Sequence, residues 1–568
     1  MKAATYIAKF LKEKQINIVF ELQGGMITHI LDAMHQEGSF EIVSMHHEQA
    51  ASFAADAYAR VTGKPGVAFA TSGPGATNLI TGIGSCYFDS VPAIFITGQV
   101  NINEQKGDRG IRQLGFQETD IVEIIRPLTK AAFAVKSVND LPLILENAYY
   151  ISKEGRPGPV LIDIPMNIQR EDILDLSVNT NRVQDERVVD KSEILSFCVK
   201  LNKALSKSLR PLVLAGRGVR AGDTNTVFKR FIETYNLPVV HSLLGLDNLP
   251  FSHHKRIGMI GAYGNRWANY ALDNCDLLLV LGSRIDVRQT GADVESFRQN
   301  KKIFHVDCEL TELNNRIKDC IVLRTCLNDF FRIELEQKMN SFNIEAWLDS
   351  IAKERDKHPD TEELKGIKGI NPNKFIHALS HRAEKIKAFV TDVGNNQMWT
   401  AQSLELKSDQ LFISSGGMGA MGYGLPAAIG ASFALQHSPI VIVSGDGGFQ
   451  VNIQELQTIF RNKLPIKIVI LNNNSLGMIR QFQDSYFDSC YQSSVWGYTA
   501  PDFVAVAKAY GIKGLSIEKP EQIEDALSLF FEDVKEPMLL NVIIDIFTNA
   551  YPKLAFGKPL SQMEPLVD

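Results

Sequence analysis

The sequence predicts an α/β protein made of three doubly wound parallel-sheet domains. Two observations carry that prediction. Short apolar runs alternate with helix-length segments along the whole chain. Two polar stretches also cut the 568 residues into three blocks, each near the usual size of a domain.

The runs, in chain order, are Val67–Ala70, Ala93–Ile96, Val160–Ile164, Pro211–Ala215, Asp276–Leu281, Ile303–Val306, Pro439–Val443 and Ile466–Leu471. They are short and mostly unbroken by polar residues, as strands buried on both faces must be. The segments between them are long enough for a crossover helix. The first polar stretch, residues 168–192, holds Asn179–Arg187, which is polar or charged apart from Val183. The second, residues 352–372, holds the charged run Lys353–Lys357, then Pro359 and Gly366. The expected domains are therefore 1–170, 190–350 and 370–548. A tail at 549–568 is either a lid or a ragged end.

Composition removes several function classes. A net charge of −6 without a long basic run argues against nucleic acid as a partner. Seven scattered cysteines with no CxxC pair fit thiols in a reducing compartment, not a disulfide framework or a zinc site. No segment has the ~18 consecutive apolar residues a membrane span needs. Lys9, Lys12, Glu13 and Lys14 break any secretory apolar region. A soluble, cytoplasmic protein is expected.

Gly445-Asp446-Gly447 follows one predicted strand, and Asn472-Asn473 closes another. Both sit where open α/β sheets bind ligands, at the carboxyl ends of parallel strands. The glycines let backbone approach a phosphate. Asp446 offers a hard carboxylate oxygen and Asn473 an amide oxygen, a set suited to Mg2+ shared with phosphate. A lone GDG is usually a tight turn. Paired with Asn-Asn 27 residues on, room enough for one crossover, it is far more specific.

This pair resembles the diphosphate-anchoring motif of thiamine-diphosphate-dependent enzymes. The resemblance implies that Asp446, Asn473 and the Ser475 carbonyl hold Mg2+, with Gly477 close by. It also gives a role to Glu48. On its own, an acid before the alanine-rich run from Ala50 to Ala59 is a charge favoured by a helix N-terminus. The segment from His46 to Arg60, however, is similar to the family's activating-glutamate segment. There a carboxyl paired with the aminopyrimidine ring promotes loss of the thiazolium C2 proton. Gly419-Ala420-Met421 looks like the wedge that bends the cofactor, and Met421 is bulky and polarizable. Gly394-Asn395-Asn396-Gln397 is either the loop over the diphosphate or a polar turn. The family more often has Gln-His at Asn395-Asn396.

Further motifs resemble acetolactate synthase over roughly residues 1–550. They include Ala70–Asn78, Asp89–Pro92, Ile96–Val100, Gly115–Asp120, Gly155–Val160 and Asn452–Leu456. The resemblance places Gly24 and Gly25 near the thiazolium and has Gln117 orient the reacting carbonyl. It implies pyruvate as donor and a homo-oligomer of dimers or higher, with the site at a subunit interface. The middle block is similar to that family's FAD domain. Arg156, Gly216, Gly218, Arg284, Asp286 and Asp307 would take a structural FAD, or the crevice stays without a nucleotide.

Three departures bear on the acceptor. Met166-Asn167 stand where the family has Lys-Asp. Phe482 replaces a tryptophan. The stretch from Gln99 to Gln117 is longer and carries Lys106, Asp108, Arg109 and Arg112. The donor machinery is intact and the acceptor wall is rebuilt. That pattern resembles carboligases that add a two-carbon unit to a keto sugar nucleotide, giving yersiniose-type branched sugars. A 2-oxo acid acceptor (acetolactate synthase proper), a simple ketone, and a non-ligating decarboxylase are the alternatives.

Overall fold

A computed structural model describes residues 1–174, 190–337, 342–555 and 557–566. The polar stretch Asn179–Arg187 lies outside the described residues. The first sheet comprises β1 (Ile18–Glu21), β2 (Glu41–Ser44), β3 (Gly66–Ala70), β4 (Ala93–Gln99), β5 (Ala131–Ala134) and β6 (Pro159–Pro165), in the order β2-β1-β3-β4-β6-β5. The second comprises β7 (Pro211–Ala215), β8 (Val239–His241), β9 (Arg256–Met259), β10 (Leu277–Leu281), β11 (Lys302–Asp307) and β12 (Ile321–Arg324), in the order β12-β11-β10-β7-β8-β9. The third comprises β13 (Ala388–Thr391), β14 (Leu411–Ser414), β15 (Ile440–Gly445), β16 (Ile466–Asn472), β17 (Lys513–Ile517) and β18 (Met538–Ile543), in the order β14-β13-β15-β16-β18-β17. Every pairing in the three sheets is parallel. The fold class expected from the sequence is therefore present.

All eight apolar runs read from the sequence are strands: β3, β4, β6, β7, β10, β11, β15 and β16. The first and third sheets share one strand order. The second has a different order, equivalent to 3-2-1-4-5-6, the arrangement of dinucleotide-binding sheets. Its strand order reverses between β7 and β10.

The first and third domains meet through one main helix pair. Helix Glu48–Thr62 is almost entirely buried, and its alanine face packs on helix Gly424–Ala434. Small residues permit this close approach: a Cβ on Gly430 would lie 2.0 Å from the Ala54 carbonyl oxygen. Phe53 and Tyr423 meet edge to face beside it. The tail folds back as a two-stranded antiparallel ribbon, β19 (Lys553–Leu554) with β20 (Met563–Glu564). It docks on the middle domain, where Arg266 donates to the Met563 carbonyl and Ser561 to Asp273.

Candidate active site

Two groups of predicted residues assemble at carboxyl ends of strands. The first surrounds Glu48. His47 is extended, and its Nδ1 accepts from the Gln49 amide at 3.0 Å, so the helix starts at Glu48. The Glu48 carboxylate is buried and accepts from Asn78 Nδ2 at 2.9 Å. A Cβ on Gly75 would stand 3.1 Å from its other oxygen. Gly24 lies against Thr71, and Gly25 opens a short 3-10 turn with free space beside it.

Gln117 joins this group with φ +64°, and its carbonyl accepts from Ser72 Oγ at 2.9 Å. Ser72 also donates to Gln99, whose amide group bonds Asp163 at 3.0 Å and the Thr119 carbonyl at 2.8 Å. Burial pushes Asp163 up to about 7. The Gln117 backbone is thus tied to the ends of β4 and β6.

The longer stretch before Gln117 is an ordered loop. Glu118 accepts from the Lys106 amide at 2.6 Å and the Leu114 amide at 2.8 Å, closing it on itself. Asn167 accepts from the Ile102 amide at 3.0 Å. Two of the departures, Asn167 and the long loop, therefore contact each other. Phe116 at the loop's end is 81% exposed.

The second group surrounds Asp446. Asp446 follows β15 and Asn473 follows β16, neighbouring strands in the third sheet. Tyr498 donates to Asp446 at 2.8 Å, and the Ser475 amide bonds both Asp446 and the Asn473 side chain. Burial pushes Asp446 up to about 6. Both side-chain atoms of Asn395, and the Ser475 hydroxyl, are buried without a partner. Such orphaned atoms are costly unless a ligand meets them. Asn396, by contrast, is committed to the backbone carbonyls of Asp392 and Val443.

The glycines form a cradle. A Cβ on Gly447 would fall 2.6 Å from Leu476 and 3.3 Å from Met421 Cε, and one on Gly477 2.5 Å from Asn473. A Cβ on Gly445 would lie 3.3 Å from Asn396 Oδ1. Met421 is 39% exposed, so it is not core filling. Gly419 beside it has φ +62° and open space around its Cα. A single carboxylate, an amide oxygen and backbone oxygens fit a hard ion such as Mg2+ with phosphate. Among the described residues there is no cluster of three or more His, Cys, Asp or Glu that would suit another metal.

Asp392 escaped the sequence reading. It accepts from the amides of Gly422 and Gly424 at 3.0 and 2.8 Å, anchoring the Met421 loop, and burial pushes it up to about 6. Its sequence signal resembles that of Asp446, an acid just after an apolar run, with a glycine two residues on. Asn452 opens the Asn452–Leu456 motif quoted from the sequence, but that motif gave it no role. Its side chain donates to the Gly422 carbonyl at 2.8 Å and to Gln49 at 3.2 Å, linking the two groups.

Three stretches of this chain match the models of the thiamine pyrophosphate enzyme N-terminal TPP binding domain (residues 1–124), central domain (199–331) and C-terminal TPP binding domain (392–542). The chain belongs to the thiamine pyrophosphate enzyme family. It is 35% identical over 562 residues to the acetolactate synthase large subunit of Lactococcus lactis, spanning 98% of this chain and 95% of the relative. It is 36% identical to the acetolactate synthase isozyme 2 large subunit of Escherichia coli K12, over 99% of both chains. With the acetolactate synthase large subunit of Porphyra purpurea it shares 38% over 96% of this chain and 92% of that one. In this thiamine pyrophosphate enzyme, the Glu48 group falls within the N-terminal match and the Asp446 group within the C-terminal match.

A cavity of about 300 Å3 lies at the switch point of the middle sheet. Arg156, Gly218, Arg284, Asp286 and Asp307 line it. Arg156 pairs with Glu312 at 2.5 Å and Arg284 with Asp286 at 3.3 Å. Burial pushes Asp307 up to about 6. Gly216 stands behind the lining, where a Cβ would meet the Gly282 carbonyl at 2.1 Å. No helix of the described residues is long and apolar enough to cross a membrane.

Proposed function

We propose that this enzyme decarboxylates pyruvate and joins the remaining two-carbon unit to a carbonyl acceptor. The observation that carries this reading is the joint presence of a buried Glu48 carboxylate and the Asp446–Asn473–Ser475 set, in a chain whose full-length relatives are named acetolactate synthases. Thiamine diphosphate, when bound, supplies the carbon centre that takes up the electrons released with carbon dioxide. Asp446, Asn473 and the Ser475 carbonyl would hold Mg2+, and Gly445, Gly447, Gly477 and Asn395 the diphosphate. Glu48 would share a proton with the pyrimidine ring, Met421 would support the ring fold, and Gln117 would orient the reacting carbonyl. Met418, Met421 and Phe116 are exposed in a single chain. Their exposure supports a homo-oligomer in which a second copy covers them and excludes water from the site.

The middle cavity would hold FAD as a structural group. Its place at the switch point, its four lining arginines (Arg156, Arg217, Arg284 and Arg288) and its glycine-lined edge support a pyrophosphate ligand. The acceptor reading rests on the rebuilt wall. Asn167 pins the long loop, and Arg112 is exposed and makes none of the ion pairs found among the described residues. An anionic acceptor suits that cation, whether a 2-oxo acid or a nucleotide diphosphate. The rebuilt wall and longer loop, not Arg112, are why we favour a keto sugar nucleotide over a second pyruvate.

The test is mass spectrometry of products from 13C-pyruvate offered with a 2-oxo acid, a simple ketone and 4-keto sugar nucleotides. A labelled, carbon–carbon bonded product is expected. Aldehyde alone would make it a non-ligating decarboxylase. Rapid acetolactate formation with no sugar product would leave the carboligase and remove the sugar acceptor.

A further inference from the structure

We propose that Glu455 is a positioning residue that sets the place of the Glu48 carboxylate by gripping the chain immediately before it. Glu455 ends the short 3-10 turn Ile453–Glu455 of the third domain, and its side chain is fully buried. One carboxylate oxygen accepts from the His46 amide at 2.9 Å, and the His47 amide also bonds the group. The other oxygen accepts from Thr458 Oγ1 at 2.7 Å. The group's hydrogen bonds are thus made inside the domain interface.

The neighbouring contacts have the same direction. Arg461 donates to the Ser44 carbonyl, and Asn452 donates to Gln49. The third domain therefore holds residues 44, 46, 47 and 49, on both sides of Glu48. Glu48 itself is left to face Asn78 and Gly75. Asn452 also holds Gly422, next to Met421. One short segment thus references the Glu48 turn and the Met421 loop to a common frame. Burial pushes Glu455 up to about 7, against the pull of its hydrogen bonds and Arg461. Such a burial cost is tolerated where geometry is worth more than the charge. Displacing a reacting group by about 1 Å costs roughly a hundredfold in rate.

The inference rests on the reading that Glu48 promotes proton loss from bound thiamine diphosphate. The test uses the holoenzyme with thiamine diphosphate and Mg2+. Exchange of the cofactor's C2 proton for deuterium is read by acid quench and NMR, and cofactor Kd by fluorescence titration. Glu455→Asp keeps the charge and loses reach. Glu455→Gln keeps the reach and loses the charge. Positioning predicts that Glu455→Asp slows exchange about tenfold, that Glu455→Gln stays within about threefold of wild type, and that Kd moves less than about threefold in both. The opposite ranking, or wild-type exchange in Glu455→Asp, overturns the proposal. So does a loss of cofactor binding that parallels the slower exchange, which marks general collapse of the interface. Glu48→Gln separates the two readings: if it exchanges at the wild-type rate, the role of Glu48 itself falls and this proposal loses its ground.

Discussion

Replacing Gly430 by alanine should force apart the helices that join the first and third domains. The added Cβ would lie 2.0 Å from the Ala54 carbonyl oxygen, 2.6 Å from its carbon and 2.7 Å from its Cα. All three are backbone atoms, so no side chain can swing away. Restoring ordinary contact needs a separation of about 1.4 Å, which forfeits much of the dispersion energy along the buried alanine face. Overpacking of this kind costs up to about 3 kcal/mol. Alanine returns about 1 kcal/mol of helix propensity. The net loss is therefore about 2 kcal/mol. Gly84 is the control. It also lies within a helix, Ile80–Phe88, but its nearest neighbours are the flexible end atoms of Met418 at 3.4 Å. Gly84→Ala should be neutral or gain up to about 1 kcal/mol. The assay is urea unfolding by circular dichroism, read at the first transition because three domains need not unfold together. Because the displaced helix begins at Glu48, carbon dioxide release from pyruvate should fall in Gly430→Ala. Equal or greater urea resistance in Gly430→Ala, or an equal loss in Gly84→Ala, would refute the steric argument.

Asp446→Asn removes the one carboxylate of the proposed ion site, and thiamine diphosphate–Mg2+ affinity should fall at least about a hundredfold by calorimetry. Arg112→Gln should raise KM for 2-oxobutyrate as acceptor about tenfold relative to KM for acetone, if that cation meets an anionic acceptor. His377 bonds Asp360 at 2.9 Å and Glu405 at 2.7 Å. Burial lowers its pKa, but the two carboxylates outweigh that, and the net shift is upward from 6.5. Its contribution to stability is fully present below 6.5 and is lost as pH rises through the raised value. His377→Gln should therefore shift the urea midpoint most in mildly acidic buffer, with the gap to wild type closing in alkaline buffer.

The strands that were legible in the sequence share one property. All eight lie in the interior of their sheets, covered on both faces, so they read as unbroken apolar runs. The six edge strands β2, β5, β9, β12, β14 and β17 were not legible. Ala131–Ala134, for example, is half-buried and carries no β-branched residue. Four interior strands were missed as well: β1, β8 and β13 are only three or four residues long, and β18 is interrupted by Asn541, which bonds Asn472 across the sheet. The site divides similarly. Gly445–Gly447 and Asn472–Asn473 were legible because phosphate chemistry needs particular residues close together in sequence. Asn452–Leu456 was visible as a motif, but the role of Glu455 within it was not, because its partner His46 is 409 residues away and no local pattern records that pairing.

Asp89 is where the three domains exchange constraints. Arg60 is buried. It pairs with Asp56 at 2.6 Å and Asp89 at 2.8 Å, and it donates to the Ser414 carbonyl. Asp89 in turn accepts from the amides of Gly416 and Gly417 at 2.9 and 2.7 Å, and its backbone carbonyl accepts from Arg217 of the middle domain at 3.1 Å. Burial alone would raise Asp89, but Arg60 and the two glycine amides hold it below the usual range. Removing one member of such a network leaves an uncompensated buried charge, at a cost of about 3–5 kcal/mol. Asp89, Arg217 and Gly416 also line the middle cavity. The segment fixed by Asp89 runs directly on to Gly419 and Met421. A ligand filling the middle cavity would therefore lie against residues that hold the Met421 loop in place. A group bound there can matter to catalysis through rigidity alone, without exchanging an electron.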